Sequence, residues 1–435
     1  MTNMDKAMDE GEEDHDYLNG NGHSHHHNSN TASQIQQHFS HHLQGIARIN
    51  NGSFGCCPHS VLAAHHEWHL RFLRQPDKFY SDVLPDALLH SRSLLKSLIN
   101  ADYLHQVSLI DNATTAAAIV LRHISTSLSR NDTVVMFNCA FQAVKKSIQA
   151  YVATAGASVV EIPLPFPVRS PQEIVARFRK GLQRGKANGS KIRLAIIDHI
   201  TSMPSVLIPV GELVRICREE GVDQVFVDAA HALGTVPVDV KEIGADFYVT
   251  NLHKWFFCPP SVAVFYSRNE LPIETSWIGT RDYSSQLLVP SVMEFVSTFE
   301  GGLEGIMKRN HERVVQMGQM LIESWGTILG SPPHMCASMI MVGLPSQLGI
   351  SSEDNASKLR SHLRTCYGVE VPIHYQAPED DAATETRDNK NGLISGYARI
   401  SHQVYNTVED YHKFRDAINQ LVQDGKAQPF DRVVK

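Results

Sequence analysis

Hydrophobic and polar positions follow two rhythms along this chain. Between residues 107 and 266, short apolar runs recur: VSLI (107–110), TVVMF (133–137), SVVEI (158–162), RLAIID (193–198), QVFVD (224–228), FYVT (247–250) and VAVFY (262–266). The intervening segments 113–128, 141–152, 171–185 and 210–220 repeat apolar residues at i, i+3 and i+4, the spacing of one helix face. Strand–helix alternation predicts an α/β domain with a mostly parallel sheet, and the continuous apolar runs predict helices on both of its faces. After about residue 300 the rhythm changes. A helix over 302–325, strands at 337–343, 369–374 and 396–401, and a helix over 407–423 predict a smaller α+β domain. The polar stretch QAPEDDAATETRDNKN (376–391) predicts a surface loop.

Composition adds a third region. Residues 1–40 are rich in Asn, His, Gly, Asp and Glu; they carry seven acids and one lysine, so nearly all of the chain's net charge of −7. Such a segment buries too little apolar surface to offset its ordering entropy and is expected to be disordered. The expected organisation is therefore a tail over 1–42, a large domain with an N-terminal arm over 43–300, and a small C-terminal domain over 301–435. The cluster His23, His25, His26 and His27 could hold a transition metal adventitiously; it lacks the spacing of a structural site, and no metal is expected.

Charge and hydropathy exclude several classes. A near-neutral body without a basic block is a poor match for nucleic acid, and no apolar run approaches the length of a membrane span. The acidic start has no apolar signal core and no Arg-rich transit pattern, so a cytoplasmic protein is expected, with a nuclear one possible. The seven cysteines (56, 57, 139, 217, 258, 336 and 366) are odd in number and scattered, which argues against a disulfide framework or a zinc site.

Candidate chemistry lies at strand ends, where open α/β sheets bind ligands. QVFVD ends in Asp228, a carboxylate that is either a helix cap or a buried partner for a cation. FYVTNLHKW places His253 and Lys254 just past the next strand, beside Trp255, Phe256 and Phe257. Burial disfavours the charged form of such a lysine, and a neutral lysine can form a Schiff base. An aspartate and a lysine from neighbouring strand ends suit pyridoxal phosphate: the acid keeps the ring nitrogen protonated and the lysine holds the aldehyde. Thr114 and Thr115, at the start of a helix after LIDNA, could take the phosphate, the alternative being a plain helix cap by Asn112 or Thr114.

VDAAHALGTVPVDVKEIGADFYVTNLHKW, with INNGSFG (49–55) and RISHQVYNTVEDYHKF (399–414), resembles the class V aminotransferase family. That resemblance implies an aspartate-aminotransferase-like fold, pyridoxal 5′-phosphate as cofactor, and a homodimer with shared active sites. The wording around FGCCPHSV is most similar to plant L-cysteine desulfhydrases and, more distantly, to isopenicillin-N-epimerase-like proteins. The resemblance gives Lys254 the role of Schiff-base lysine and Asp228 that of the acid on the pyridine nitrogen. It puts His231 near the phenolic oxygen or the lysine, the alternative being a satisfied structural histidine. His253 is expected on the phosphate. Gly279 and Thr280 are expected to reach the phosphate of the neighbouring subunit, unless they form an ordinary turn. Arg399 is expected to pair with the substrate carboxylate, its fork geometry suiting a bidentate partner. Asn51 either helps there or serves its Asn-Gly turn. Phe141 or Cys139 would face the ring, and Ser202 or Thr201 would lie near the cofactor's oxygen.

One departure shapes the expected activity. No cysteine occurs between Gln376 and Ala398, where desulfurases of the family carry their nucleophile, and Cys366 is read as a buried structural thiol. Sulfur is therefore expected to leave as free sulfide. The implied activity is elimination from L-cysteine to pyruvate, ammonia and hydrogen sulfide. The alternative is epimerisation or transamination of another amino acid, since the fold does not choose between outcomes on one cofactor.

Overall fold

The computed structural model describes residues 31–269, 279–377 and 386–425. Its strands are β1 (Ala47–Arg48), β2 (Val107–Ile110), β3 (Asp132–Phe137), β4 (Ser158–Ile162), β5 (Lys191–Asp198), β6 (Gln224–Asp228), β7 (Phe247–Asn251), β8 (Ala263–Ser267), β9 (Met339–Gly343), β10 (Val369–Glu370), β11 (Ile373–Tyr375) and β12 (Gly396–Ser401). The seven apolar runs became the seven strands of one sheet, in the order β2-β8-β7-β6-β5-β3-β4. β8 is antiparallel to both β2 and β7, and the remaining neighbours are parallel.

Helices cover both faces, as continuous apolar strands require. Ala113–Ser125 and Gln142–Ile148 bury Ala117, Val120, Val144 and Ile148 on one side. Pro171–Gly185 and Val210–Glu219 bury Ile174, Phe178, Leu213 and Ile216 on the other. β4 departs from the expectation. It is one of the two edge strands of the sheet, and Ser158, Val159 and Glu161 are exposed; Glu161 takes an ion pair from Lys145 at 2.9 Å. A charged edge discourages pairing with another chain.

The small domain holds the antiparallel sheet β11-β12-β9, packed with Gly302–Trp325, Glu353–Tyr367 and Val408–Gln423 around Leu321, Leu359, Ile400 and Phe414. The N-terminal arm crosses into it: β1 pairs in parallel with β10, and Ala47 and Ile49 join the small-domain core. A two-residue strand is too short to leave a period in the sequence.

The disorder expected up to residue 42 does not hold from Thr31 onward. Thr31 and Gln34 form a capping box on the helix Ala32–His38, and Ile35 and Phe39 are buried, with Phe39 against Phe257 and Phe295. Averaging composition over the whole leader hid this amphipathic turn. Residues 1–30, including His23 to His27, lie outside the described residues. Cys366 is also corrected: it is exposed, with its sulfur 3.5 Å from His362 Nδ1. No described helix is long and apolar enough to cross a membrane.

Candidate active site

The carboxyl ends of β5, β6 and β7 open onto a cavity of about 490 Å³ at the seam between the domains. Lys254 sits in the short helix Leu252–Trp255 that follows β7 directly. Two glycines let other backbone segments close on this turn. A Cβ on Gly55 (φ +72°) would lie 1.7 Å from the His253 carbonyl oxygen, and one on Gly234 (φ +89°) 2.5 Å from that of Trp255. Both also occupy the left-handed region that side chains disfavour. Asn51 Nδ2 then donates to the Lys254 carbonyl at 2.9 Å.

The lysine side chain is held by a directed chain of donors. Trp255 Nε1–H donates to His231 Nδ1 at 3.3 Å, and His231 Nε2 lies 3.2 Å from Lys254 Nζ. An indole nitrogen only donates, so Nδ1 accepts and the ring proton resides on Nε2. That Nε2–H needs an acceptor, which a neutral amine provides and an ammonium does not. Electrostatics agree. Burial, then the charges of Lys254 and Arg399, hold His231 well below the usual histidine range. Burial lowers Lys254 to about 8 against the opposing pull of Asp228, with Arg399 adding to the lowering.

Two carboxyls lie below the amine. Asp228 and Asp198 end neighbouring strands in register, both are buried and both line the cavity. Burial raises Asp228, while Ala230 N–H anchors its Oδ1 at 3.1 Å. Burial and the Asp228 charge push Asp198 well above the carboxylate range, and its Oδ2 has no hydrogen-bond partner. At another wall, Asn112 caps the helix Ala113–Ser125 through the Thr115 N–H at 3.0 Å, and Asn251 takes the Ala113 N–H at 2.9 Å. Thr114 lines the cavity between them, at a helix start whose N–H groups have no intrahelical acceptor. His253 lines it too, its Nδ1–H directed to the Val262 carbonyl at 3.4 Å.

These features fit pyridoxal phosphate. An orphaned buried carboxyl oxygen beside a second acid suits a ring N–H, a lysine whose charged form burial disfavours suits an aldehyde, and a helix start with Thr114 and His253 suits a phosphate.

The structure thus brings Lys254, Asp228, His231, His253, Thr114, Phe141 and Ser202 to one cavity. Phe141 is half exposed on its wall, whereas Cys139 and Thr201 do not line it; Thr201 Oγ1 donates within its own turn to Pro204 O at 2.5 Å. Other expectations are corrected. Thr115 does not line the cavity, because its N–H and hydroxyl turn to Asn112. Asn51 is also set back: its amide nitrogen holds Lys254 O and its amide oxygen accepts from Tyr405 at 3.2 Å. Ser202 lines the cavity while its Oγ and carbonyl both accept from Arg399 Nη1, at 3.1 and 2.8 Å. Arg399 itself is buried beneath the wall, its Nη2 donating to Asn50 Oδ1 at 3.0 Å and Ser53 Oγ at 2.7 Å. Gly279 and Thr280 lie outside this cavity's lining.

The sequence reading missed Asp198, Asn251 and Arg360, and it gave Trp255 only the part of an apolar neighbour of Lys254. For Asp198 a signal was present, since RLAIID ends in an acid just as QVFVD does. Arg360 lies within the helix Glu353–Tyr367 and left no local signal, because only domain packing brings it to the cavity.

The family profile described as Aminotransferase class-V matches residues 58–289. The chain is 61% identical over 417 residues to L-cysteine desulfhydrase of Arabidopsis thaliana, covering 91% of this chain and 92% of that one. It is 24% identical over 411 residues to isopenicillin N epimerase of Streptomyces clavuligerus, covering 86% and 95%. Among solved structures, the apo cysteine desulfurase of Thermococcus onnurineus NA1 superposes with a TM-score of 0.66 at 19% identity, over 86% of this chain and 94% of that one.

Proposed function

The chain belongs to the class V aminotransferase family, and from that premise we propose that it is a pyridoxal-phosphate-dependent lyase that converts L-cysteine and water to pyruvate, ammonia and hydrogen sulfide. The carrying observation is Lys254, in contact with His231 and sharing its cavity with two buried carboxyls. The substrate is the one named for the Arabidopsis relative.

Lys254 and the Asp198–Asp228 pair would hold the two reactive ends of the cofactor, Thr114 and His253 its phosphate, and Phe141 would cover its ring. When bound, pyridoxal phosphate supplies an aldehyde for the substrate amine and an electron-withdrawing ring for the pair left on Cα. The chain's own groups do the rest. Lys254 would remove the Cα proton; lowered by burial to about 8, the amine is still basic, and a far larger share of it is free at neutral pH than for an ordinary lysine. His231 Nε2–H orients that amine before the exchange and is a donor for developing oxygen charge after it. Asp228 stays ionised against its backbone anchor. Arg399, a buried guanidinium without a carboxylate partner among the described residues, supplies positive charge for the substrate carboxylate. No cysteine lines the cavity, which supports direct loss of sulfide over transfer to a protein thiol. Gly279 and Thr280 would complete the phosphate site of a second subunit in a homodimer, and the protein would act in the cytoplasm.

The test is product analysis. Purified protein with cofactor should release pyruvate and sulfide from L-cysteine in equal amounts. The likeness to isopenicillin N epimerase favours one rival reading: racemised amino acid without sulfide would replace this proposal with an epimerase.

A further inference from the structure

Lys254 is carried by a turn whose closing residue is strained. The helix Leu252–Trp255 ends through Phe257, whose φ of +56° puts a bulky side chain in the left-handed region that such residues avoid. That conformation lets the Cys258 N–H return to the Leu252 carbonyl at 3.3 Å, closing the loop that bears Lys254. A strained residue persists only where its surroundings hold it, and here they are aromatic. Phe295 meets Phe257 edge-on with ring centroids 5.1 Å apart, and Phe39 packs on both, 6.4 Å from Phe257 and 6.1 Å from Phe295. Phe295 belongs to the helix Val289–Ser297 of the large domain. Phe39 comes from the terminal arm, just after a helix of only seven residues.

The arm is fastened by imidazoles. The His42 ring lies 5.4 Å from Phe39, 4.8 Å from Tyr405 and 4.8 Å from His41, and His41 lies 4.7 Å from His59. Ser40 Oγ is 3.0 Å from His59 Nε2. Arg48 of β1 lines the same groove as His42. Burial, then the charges of Arg48, His41 and His59, bring His42 down to about 3; burial, then His59 and Arg48, also lower His41. The nearby acids are engaged elsewhere. Asp410, in the same groove, accepts from the Thr407 N–H at 3.0 Å and from Asn406 Nδ2 at 3.1 Å, and Glu370 pairs with Arg48 at 3.9 Å. Lys413, on the helix of Asp410, donates to the Gly45 carbonyl.

We propose that residues 31–42 form an acid-released strap over the Lys254 turn: with its histidines neutral, Phe39 is seated and braces Phe257; with them protonated, the strap leaves and the turn loosens. This goes beyond the proposed reaction and rests on it only for the task of Lys254. A histidine at about 6.5 when free and about 3 when seated stabilises the seated strap fully above the first value, and progressively less as pH falls below it. Between pH 7 and pH 5, His42 alone should raise the released fraction about twentyfold.

The test is hydrogen exchange on the full-length holoenzyme, followed by mass spectrometry at pH 7 and pH 5 and corrected for the intrinsic pH dependence of exchange. Peptides over 31–46 should open about twentyfold more at pH 5. Peptides over 252–258 should follow, while β12, in the small-domain core, should not change. His42→Phe keeps a ring against Phe39 and Tyr405 but cannot take a proton, so it should remove most of the acid effect. Phe39→Ala should loosen 252–258 already at pH 7. Equal protection of 31–46 at both pH values in the wild-type protein would overturn the proposal, as would opening of 31–46 with 252–258 unmoved, or an H42F protein as acid-sensitive as wild type. Loss of protection in β12 alongside the strap would also overturn it, since that is general acid unfolding. None of these readouts uses substrate, so failure of the strap is distinguishable from failure of the proposed reaction.

Discussion

The two walls of the cavity are built differently. The large-domain wall consists of strand ends. Asp198, Asp228 and Lys254 are placed by the register of β5, β6 and β7, and Lys254 is further held through His231 and Trp255. The small-domain wall presents Arg360 from mid-helix, with no hydrogen-bond or ion-pair partner among the described residues, while Arg399 on β12 is fixed by Ser202, Asn50 and Ser53. Strand ends locked in a sheet hold reacting groups to fixed positions, which proton transfer demands. A long side chain on a helix face can move to meet an anion, which recognition tolerates. Chemistry thus belongs to one wall and recognition to the other.

The largest test of that division is Lys254→Ala. It should lower turnover by about a thousandfold or more and abolish the absorbance of the lysine-bound cofactor. A K254A protein with substantial sulfide release would end the comparison.

Next come the paired acids, which should not be equivalent. Asp228, anchored by Ala230 N–H, is the one expected to stay ionised; Asp198 is held further up by burial and by Asp228 and is carried as the neutral acid. Asp228→Asn should cost about a hundredfold in kcat, whereas Asp198→Asn, close to a protonated carboxyl in shape, should stay within about threefold. Steady-state kinetics on both variants would swap the roles if the order reverses.

The smallest effect expected on this wall sharpens the role of Trp255. Trp255→Phe removes the donor to His231 Nδ1, so the ring proton is free to move to Nδ1 and Nε2 becomes an acceptor for an ammonium. The charged lysine is then favoured, and its value should rise from about 8 toward that of an ordinary lysine. The sign follows: the fraction of neutral Lys254 falls at a given pH, and the pH dependence of cofactor uptake by the apoprotein moves upward. Activity at pH 7 should drop about severalfold and recover as pH rises. A titration unchanged from wild type would remove Trp255 from this role.

Much of the large-domain wall was legible in the chain, and its gaps are instructive. Strand ends with the right residues are local features, so Asp228, His253 and Lys254 stood out. Asp198 has the same local form and needed only the same reading. Asn51 was legible as part of a motif, but its task was not: whether an amide faces a ligand or the carbonyl of Lys254 depends on how closely Gly55 lets that backbone approach. Thr115 likewise lost its place to the Asn112 cap. The leader's amphipathic turn was hidden by averaging, and the exposure of Cys366 could not be read from one residue's neighbours in sequence.

Periodicity by itself determined the seven strands, their covering helices, the smaller second domain and the lysine at a strand end, because those follow from local propensity and the burial of continuous apolar runs. Tertiary structure alone decided which acid lies beside which, the direction of the Trp255–His231–Lys254 chain, the pairing of β1 with β10 and the arrival of Arg360 at the cavity. Each of these depends on strand register or domain packing, which joins residues far apart in the chain and leaves no trace in the spacing of either partner.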